Sequence, residues 1–164
     1  MLDKPLAALT KDDLERLVED RVSEGRTRDY KRDLELASDA HKKEVARDVS
    51  SLANAAGGYL VYGVEEERDA DGKNTGIPAR ILGVACPNFD QTKLRYESIV
   101  SDYIDPRVQG IDIRAIDRFE RGPAIVVHVP RSWFGPHMLS YQKQTHFYSR
   151  NTSGRRDLDV REIR

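Results

Sequence analysis

The sequence predicts an α+β fold in one domain, a mixed or antiparallel sheet flanked by three to four helices. Three observations carry that reading. Apolar residues recur at helical spacing in three segments, β-rich runs are bounded by glycine and turn residues, and two such runs are joined by a short turn as in a hairpin. At 164 residues the chain is close to the usual size of one domain, roughly 100–150 residues, and is long enough to bury a single core.

The elements follow in order. Thr10 with Asp13 reads as a capping box, and Leu14, Leu17, Val18 and Val22 recur at helical spacing, so the spacing predicts a first helix over 10–23, stopped by Gly25. Residues 29–34 read as a strand. Ser38 caps a second helix with Val45, Val49, Leu52 and Ala53 inward, ending at Gly57 and Gly58. The run Tyr59 to Val64 is almost continuously apolar, as a central strand buried on both faces requires.

Residues 65–78 read as a loop or hairpin tip, and 81–85 as a further strand. Asp90 is placed to cap a third helix, with Tyr96, Ile99, Val100, Tyr103 and Ile104 on one stripe; it must stop before Pro106. Residues 111–117 and 124–129 form the hairpin, and 146–150 a last strand. Trp133, in a turn rich in proline and glycine, is expected to anchor a core or an interface, with His137 as a distant substrate contact. From about residue 157 a C-terminal helix begins, capped by Asp157 or Asp159, and scarcely completes two turns. That shortness suggests the N-terminal domain of something longer, with a further C-terminal domain.

The charged fraction is 34% and the formal net charge −1, so any affinity for nucleic acid must come from a local patch and not from bulk charge. Cys86 is the single cysteine, which excludes an intrachain disulfide and a cysteine-rich zinc or iron–sulfur site. With no apolar run of signal-peptide or membrane-span length, a cytoplasmic protein without a membrane partner is expected. His41, His128, His137 and His146 show no metal-ligand spacing, so no zinc is expected. Gly72-Lys73-Asn74 lacks the residues of a phosphate-binding loop and no GxGxxG occurs, so no nucleotide cofactor is expected. No GxSxG elbow supports nucleophilic hydrolysis.

The ordered set EGRTRDYK, ANAAGGYLVYGVEE and HFYSRNTSG stands out. It resembles the Schlafen AlbA-like domain family, in which an acid is followed five residues later by a second acid. A helix ending A-N-x-x-G-G, a strand ending G-V with acids after it and a closing F-Y-x-R complete the pattern. The resemblance spans roughly residues 14–164, and Asn54, Gly57, Gly58 and Gly63 lie in its most specific block, where a helix C-cap and close backbone approach explain them structurally. It implies an α+β domain that binds RNA or DNA and, in one branch, a divalent-metal-dependent endoribonuclease acting on tRNA or other structured RNA. The three carboxylates of that activity fall on Glu24, Asp29 and Glu66, with Glu65 competing for the third place. The second acid is usually Glu and here is Asp29, and the third is usually Asp and here is Glu; charge is kept and reach changes by one methylene.

Hard oxygen ligands of this kind suit Mg²⁺ or Mn²⁺, typically held by a few carboxylates plus water and substrate phosphate. Arg26, Arg28, Lys31 and Arg32, then Lys42, Lys43 and Arg47, then Arg150, Arg155, Arg156, Arg161 and Arg164 supply cations for phosphate contact. Tyr148 and Arg150 are further candidates to stack on a base. The metal reading carries a geometric condition. Were strands 29–34 and 59–64 parallel, Asp29 and Glu66 would lie about 15 Å apart at about 3.3 Å per residue, so the reading expects them antiparallel. A homodimer completing a groove is also expected, since relatives pair two lobes in one chain. A non-catalytic DNA- or RNA-binding module of a larger regulator is the alternative, and a protein-interaction scaffold a third.

Overall fold

The computed structural model describes residues 2–163; the cation expected at Arg164 lies outside them. A 3₁₀ turn, Leu6–Ala8, precedes α1 (Lys11–Glu19), β1 (Arg28–Lys31), α2 (Asp39–Ala53), β2 (Gly58–Tyr62), β3 (Val64–Arg68) and β4 (Asn74–Ile81). Then come α3 (Phe89–Tyr103), β5 (Ile104–Asp105), β6 (Asp112–Phe119), β7 (Gly122–Val129), β8 (Met138–Tyr141), β9 (Gln144–Asn151), β10 (Gly154–Asp157) and α4 (Val160–Ile163). The fold is α+β. The main sheet has strand order β1-β2-β7-β6, with β1 and β2 parallel and the other pairs antiparallel; an antiparallel sheet β10-β9-β8-β5 and the ribbon β3-β4 complete the set.

Two cores lie on opposite faces of the main sheet. Leu60 and Tyr62 of β2, with Ile125, Val127 and Val129 of β7, pack with α2 and α3, whereas Val61, Ala124 and Val126 pack with Leu14 and Leu17 of α1. Successive strand residues face opposite sides, so a strand covered on both faces must be apolar throughout, which is why residues 59–64 show no alternation. The hydrophobic contribution is about 1.5–3 kcal/mol for each fully buried Leu or Val.

Several boundaries differ from the sequence expectations. The capping box forms, Thr10 and Asp13 satisfying each other's backbone amides, but α1 ends at Glu19 and not near 23. Arg21 takes φ 49° and the Val22 amide donates back to the Leu17 carbonyl, closing the helix before Gly25. Asn88, not Asp90, caps α3 by accepting from the Gln91 amide. Residues 65–78 are mostly strand, paired as β3–β4, and 82–88 carry none. Asp159 accepts from the Arg161 and Glu162 amides and caps α4, while Asp157 closes β10. Trp133 is 79% exposed and so anchors no core in this chain; His137 is fully buried, away from any substrate. No helix among the described residues is long and apolar enough to cross a membrane.

Candidate functional site

Three chain segments meet beside the edge strand β1. Their arrangement depends on Gly63, whose φ of 96° ends β2 and whose missing side chain lets the backbone press against Gly83. The Gly63 amide donates to the Lys31 carbonyl at the far end of β1, and the β3–β4 ribbon then packs against β1. At its near end the Glu24 amide donates to the Gly76 carbonyl of β4 at 2.8 Å. The ribbon therefore runs back along β1 and carries Glu66 to the end where Glu24 and Asp29 lie. The strand condition was wrong, because β1 and β2 are parallel; the acids meet through a chain reversal that the strand directions alone did not contain.

The result is an open cleft of about 620 Å³ lined by Glu24, Asp29, Lys31, Arg32 and Glu66, with Asn74 to Gly76 and Thr152 to Gly154 closing its sides. Glu65 points elsewhere and pairs with Arg80 at 2.7 Å. Glu24 accepts the Tyr30 amide at 2.7 Å through one oxygen. Burial, then the Asp29 charge beside it, push its carboxyl up to about 8, so it is protonated at neutral pH. Burial also lifts Glu66 above the usual carboxylate range, with Asp29 adding to it.

Asp29 behaves oppositely. Burial would raise its pKa, but Lys31 and Arg150 outweigh that and hold it below the ordinary value. Arg150, itself buried, lies 3.1 Å from Asp29 Oδ1. Asp29 Oδ2 is buried and stands 3.2 Å from Lys31 Nζ without hydrogen-bond geometry; the ion pair is electrostatic, and the oxygen keeps an unused acceptor site.

Behind the cleft lies Asp48, which the sequence reading passed over. It is 2% exposed, 3.1 Å from Lys31 and 2.8 Å from Arg155. Burial lifts its carboxyl to about 6 against the pull of Lys31, which leaves it ionised at pH 7. Its signal was present: Asp48 sits three residues after Val45 and four before Leu52, an acid on the apolar stripe of α2. Asn74, Gly76 and Thr152 had no such signal, since their approach depends on the ribbon and on the turn between β9 and β10.

The expected cations divide. Lys31 and Arg32 line the cleft. Arg155 is bound to Glu44 and Asp48, and Arg150 to Asp29. Arg28 donates to the Ser23 carbonyl, Arg26 is exposed, and Lys42 is half-buried on α2. Asn54 is a scaffold residue, donating to the His137 and Tyr148 carbonyls at 2.9 and 2.8 Å and accepting from the His137 amide at 2.7 Å. Gly57 and Gly58 bring the start of β2 against Arg131 and Thr27, where a Cβ would collide with backbone.

The family described as Schlafen, AlbA_2 matches residues 24–159. The chain belongs to the Schlafen AlbA_2 family. As a member of it, the domain is assigned to nucleic-acid binding at that coarse level. Among solved structures, this Schlafen AlbA_2 chain is similar to the N-terminal domain of a RecG-related protein from Nitrosomonas europaea. That match has 19% identity and a TM-score of 0.58, and covers 83% of this chain and 86% of that one. It is also similar to the DIP2311 protein from Corynebacterium diphtheriae, at 17% identity and a TM-score of 0.54, covering 89% of this chain. The chain spans about a quarter of that protein, 26% of its length. At these identities both likenesses concern the fold alone. No curated protein matches.

The donor set fits a hard divalent cation: carboxylate oxygens only, one of them the unpartnered Asp29 Oδ2. Among the described residues no group of three or more His, Cys, Asp or Glu side chains is arranged to hold a metal as it stands. Mg²⁺ asks for one or two carboxylates plus water and substrate phosphate, not a closed protein cage, so the fit is to an open site.

Proposed function

We propose that the cleft binds RNA, with tRNA or another structured RNA as substrate, and that the domain is a divalent-metal-dependent endoribonuclease. The observation that supports this most is the convergence of Glu24, Asp29 and Glu66 from three separate segments on one cleft, beside Lys31 and Arg32. Glu24, Asp29 and Glu66 would hold Mg²⁺ or Mn²⁺, which when bound supplies Lewis-acid polarisation of a phosphoryl oxygen or of water. The chain's own residues do the rest. The Tyr30 amide fixes one Glu24 oxygen and Arg150 fixes one Asp29 oxygen, so both carboxylates are pre-oriented. Lys31 and Arg32 offset charge on the phosphate. The Glu24 proton must leave before that carboxyl can act as a ligand, because ligating carboxylates are deprotonated.

One observation favours a second reading, a non-catalytic DNA- or RNA-binding module: Asp29 is already neutralised by Lys31 and Arg150. Incubation of tRNA with Mn²⁺ separates the two. The nuclease reading expects cleavage by the parent chain that falls at least about 10-fold in Glu24→Gln and in Glu66→Gln. RNA binding without cleavage leaves the module, and neither outcome leaves a protein-interaction scaffold. We extend the proposal to a homodimer in which a second copy completes the groove. Sedimentation showing only monomer, with and without RNA, removes that extension.

A further inference from the structure

Residues 121–156 contain no Asp or Glu in a chain with 28 acidic residues. They form β7 to most of β10, and where β8 and β9 meet α2 a second cavity of about 160 Å³ opens. Lys43 and Arg47 of α2 line it on one side, and Tyr141, His146 and Tyr148 on the other, over Leu139. No lining residue is acidic. Asp39 faces the Tyr141 hydroxyl at the margin and pushes that phenol up to about 12.

The aromatic rings are already arranged for stacking. Tyr141 lies against Tyr103 at 5.2 Å with 13° between ring planes, and His146 against Tyr148 at 5.9 Å and 29°. The Lys43 ammonium rests 4.2 Å from the Tyr141 ring centroid. Arg47 pairs with Glu44 at 3.1 Å through a terminal nitrogen, while its Nε is buried without a partner. Rings with a purely structural role would be covered, but His146 is exposed and Tyr141 and Tyr148 are half-buried. The cavity is smaller than the roughly 300–1,000 Å³ of a typical small-molecule pocket, which suits one flat ring whose remainder stays outside.

Strand β9 joins this cavity to the carboxylate cleft. Tyr148 lines the first, Arg150 holds Asp29, and Thr152 lines the second. At about 3.3 Å per residue the part of β9 beyond Tyr148 spans about 10 Å before the turn that carries Thr152. We propose that the Tyr141–His146–Tyr148 pocket receives one unpaired base of the RNA strand whose backbone enters the carboxylate cleft, with Lys43 and Arg47 on the flanking phosphate. The inference rests on the RNA reading of that cleft and deepens it: the substrate is single-stranded at this point, because a base inside a duplex has no free face to stack on a side chain.

The test is fluorescence anisotropy of the full chain in EDTA, which prevents metal-dependent cleavage, with a labelled single-stranded RNA and a blunt duplex of the same sequence. In Tyr148→Leu and in His146→Ala the Kd for the single strand rises about 5- to 100-fold, and that for the duplex changes less than about twofold. The salt dependence is unchanged in Tyr148→Leu and its slope falls by about 0.7 in Lys43→Ala. If Tyr148→Leu loses its melting transition, His146→Ala decides alone, since that side chain is exposed. Equal loss on both RNAs, no loss, or no binding by the parent chain overturns the inference. Absence of cleavage with the single-strand effect intact sinks the nuclease and leaves this pocket; cleavage lost in Glu66→Gln with the pocket variants silent does the reverse.

Discussion

Replacing Glu24 by Gln tests the electrostatics of the cleft without disturbing its hydrogen bonds. The Gln carbonyl still accepts from the Tyr30 amide, and its amide group is a neutral donor as the protonated carboxyl is now. The Glu24 pKa rises on folding from 4.5 to about 8, so its contribution to stability is fully present below about 4.5 and is lost as the pH rises through about 8. At about 1.36 kcal/mol per pKa unit the full loss would be about 5 kcal/mol. The group is half-buried, so solvent screens it, and about 2 kcal/mol is the discounted figure. Glu24→Gln is therefore expected to match the parent at pH 4 and to exceed it by about 2 kcal/mol at pH 8, about 4–8 °C in Tm for a chain of this size. Urea unfolding at the two pH values measures this directly. Equal stability at pH 8, or a shift of the same size at both pH values, would refute the reasoning.

Three further outcomes follow from the scaffold. Asn54→Ala removes three hydrogen bonds and strands the His137 amide and two carbonyls; a loss of about 2–4 kcal/mol in urea unfolding is expected, and less than about 1 kcal/mol would contradict it. Gly58→Ala drives a methyl group into the Thr27 carbonyl at φ 144°, so the variant should lose at least about 2–3 kcal/mol or fail to fold, and a parent-like Tm would show the approach to be loose. Trp133→Ser should change stability by less than about 0.5 kcal/mol, because the indole is 79% exposed and lies against the Arg131 guanidinium. In the parent, emission from Trp133 should be that of hydrated indole and quenched by iodide; a shielded, blue-shifted spectrum would place it in a contact.

The readable parts of the sequence were those governed by local chemistry. The capping box at Thr10, the Ser38 cap and the stop before Pro106 are each decided by neighbours in the chain, and all are present. The apolar run 59–64 was legible as central because both faces of β2 are covered. The acids could be named from their order in the family pattern, but their meeting could not be derived from strand directions. It depends on Gly63 turning the chain and on the Glu24–Gly76 bond, a long-range contact without periodicity. The choice between Glu65 and Glu66 was open for the same reason, since register in the bulged β3–β4 ribbon decides which acid faces the cleft. The core half of the Trp133 expectation fails because a large aromatic is usually covered and nothing local marks a turn that holds one outward.

The proposed RNA site needs Glu24, Asp29 and Glu66 to act together on one cation. Titration of Mn²⁺ against the full chain with RNA present, less the Mn²⁺ taken up by the same RNA alone, followed by the electron paramagnetic resonance signal of free Mn²⁺, measures this. The account predicts one bound Mn²⁺ per chain and an affinity lowered at least about 10-fold in Glu66→Gln. Unchanged affinity in that variant, or no bound Mn²⁺ in the parent, would contradict it.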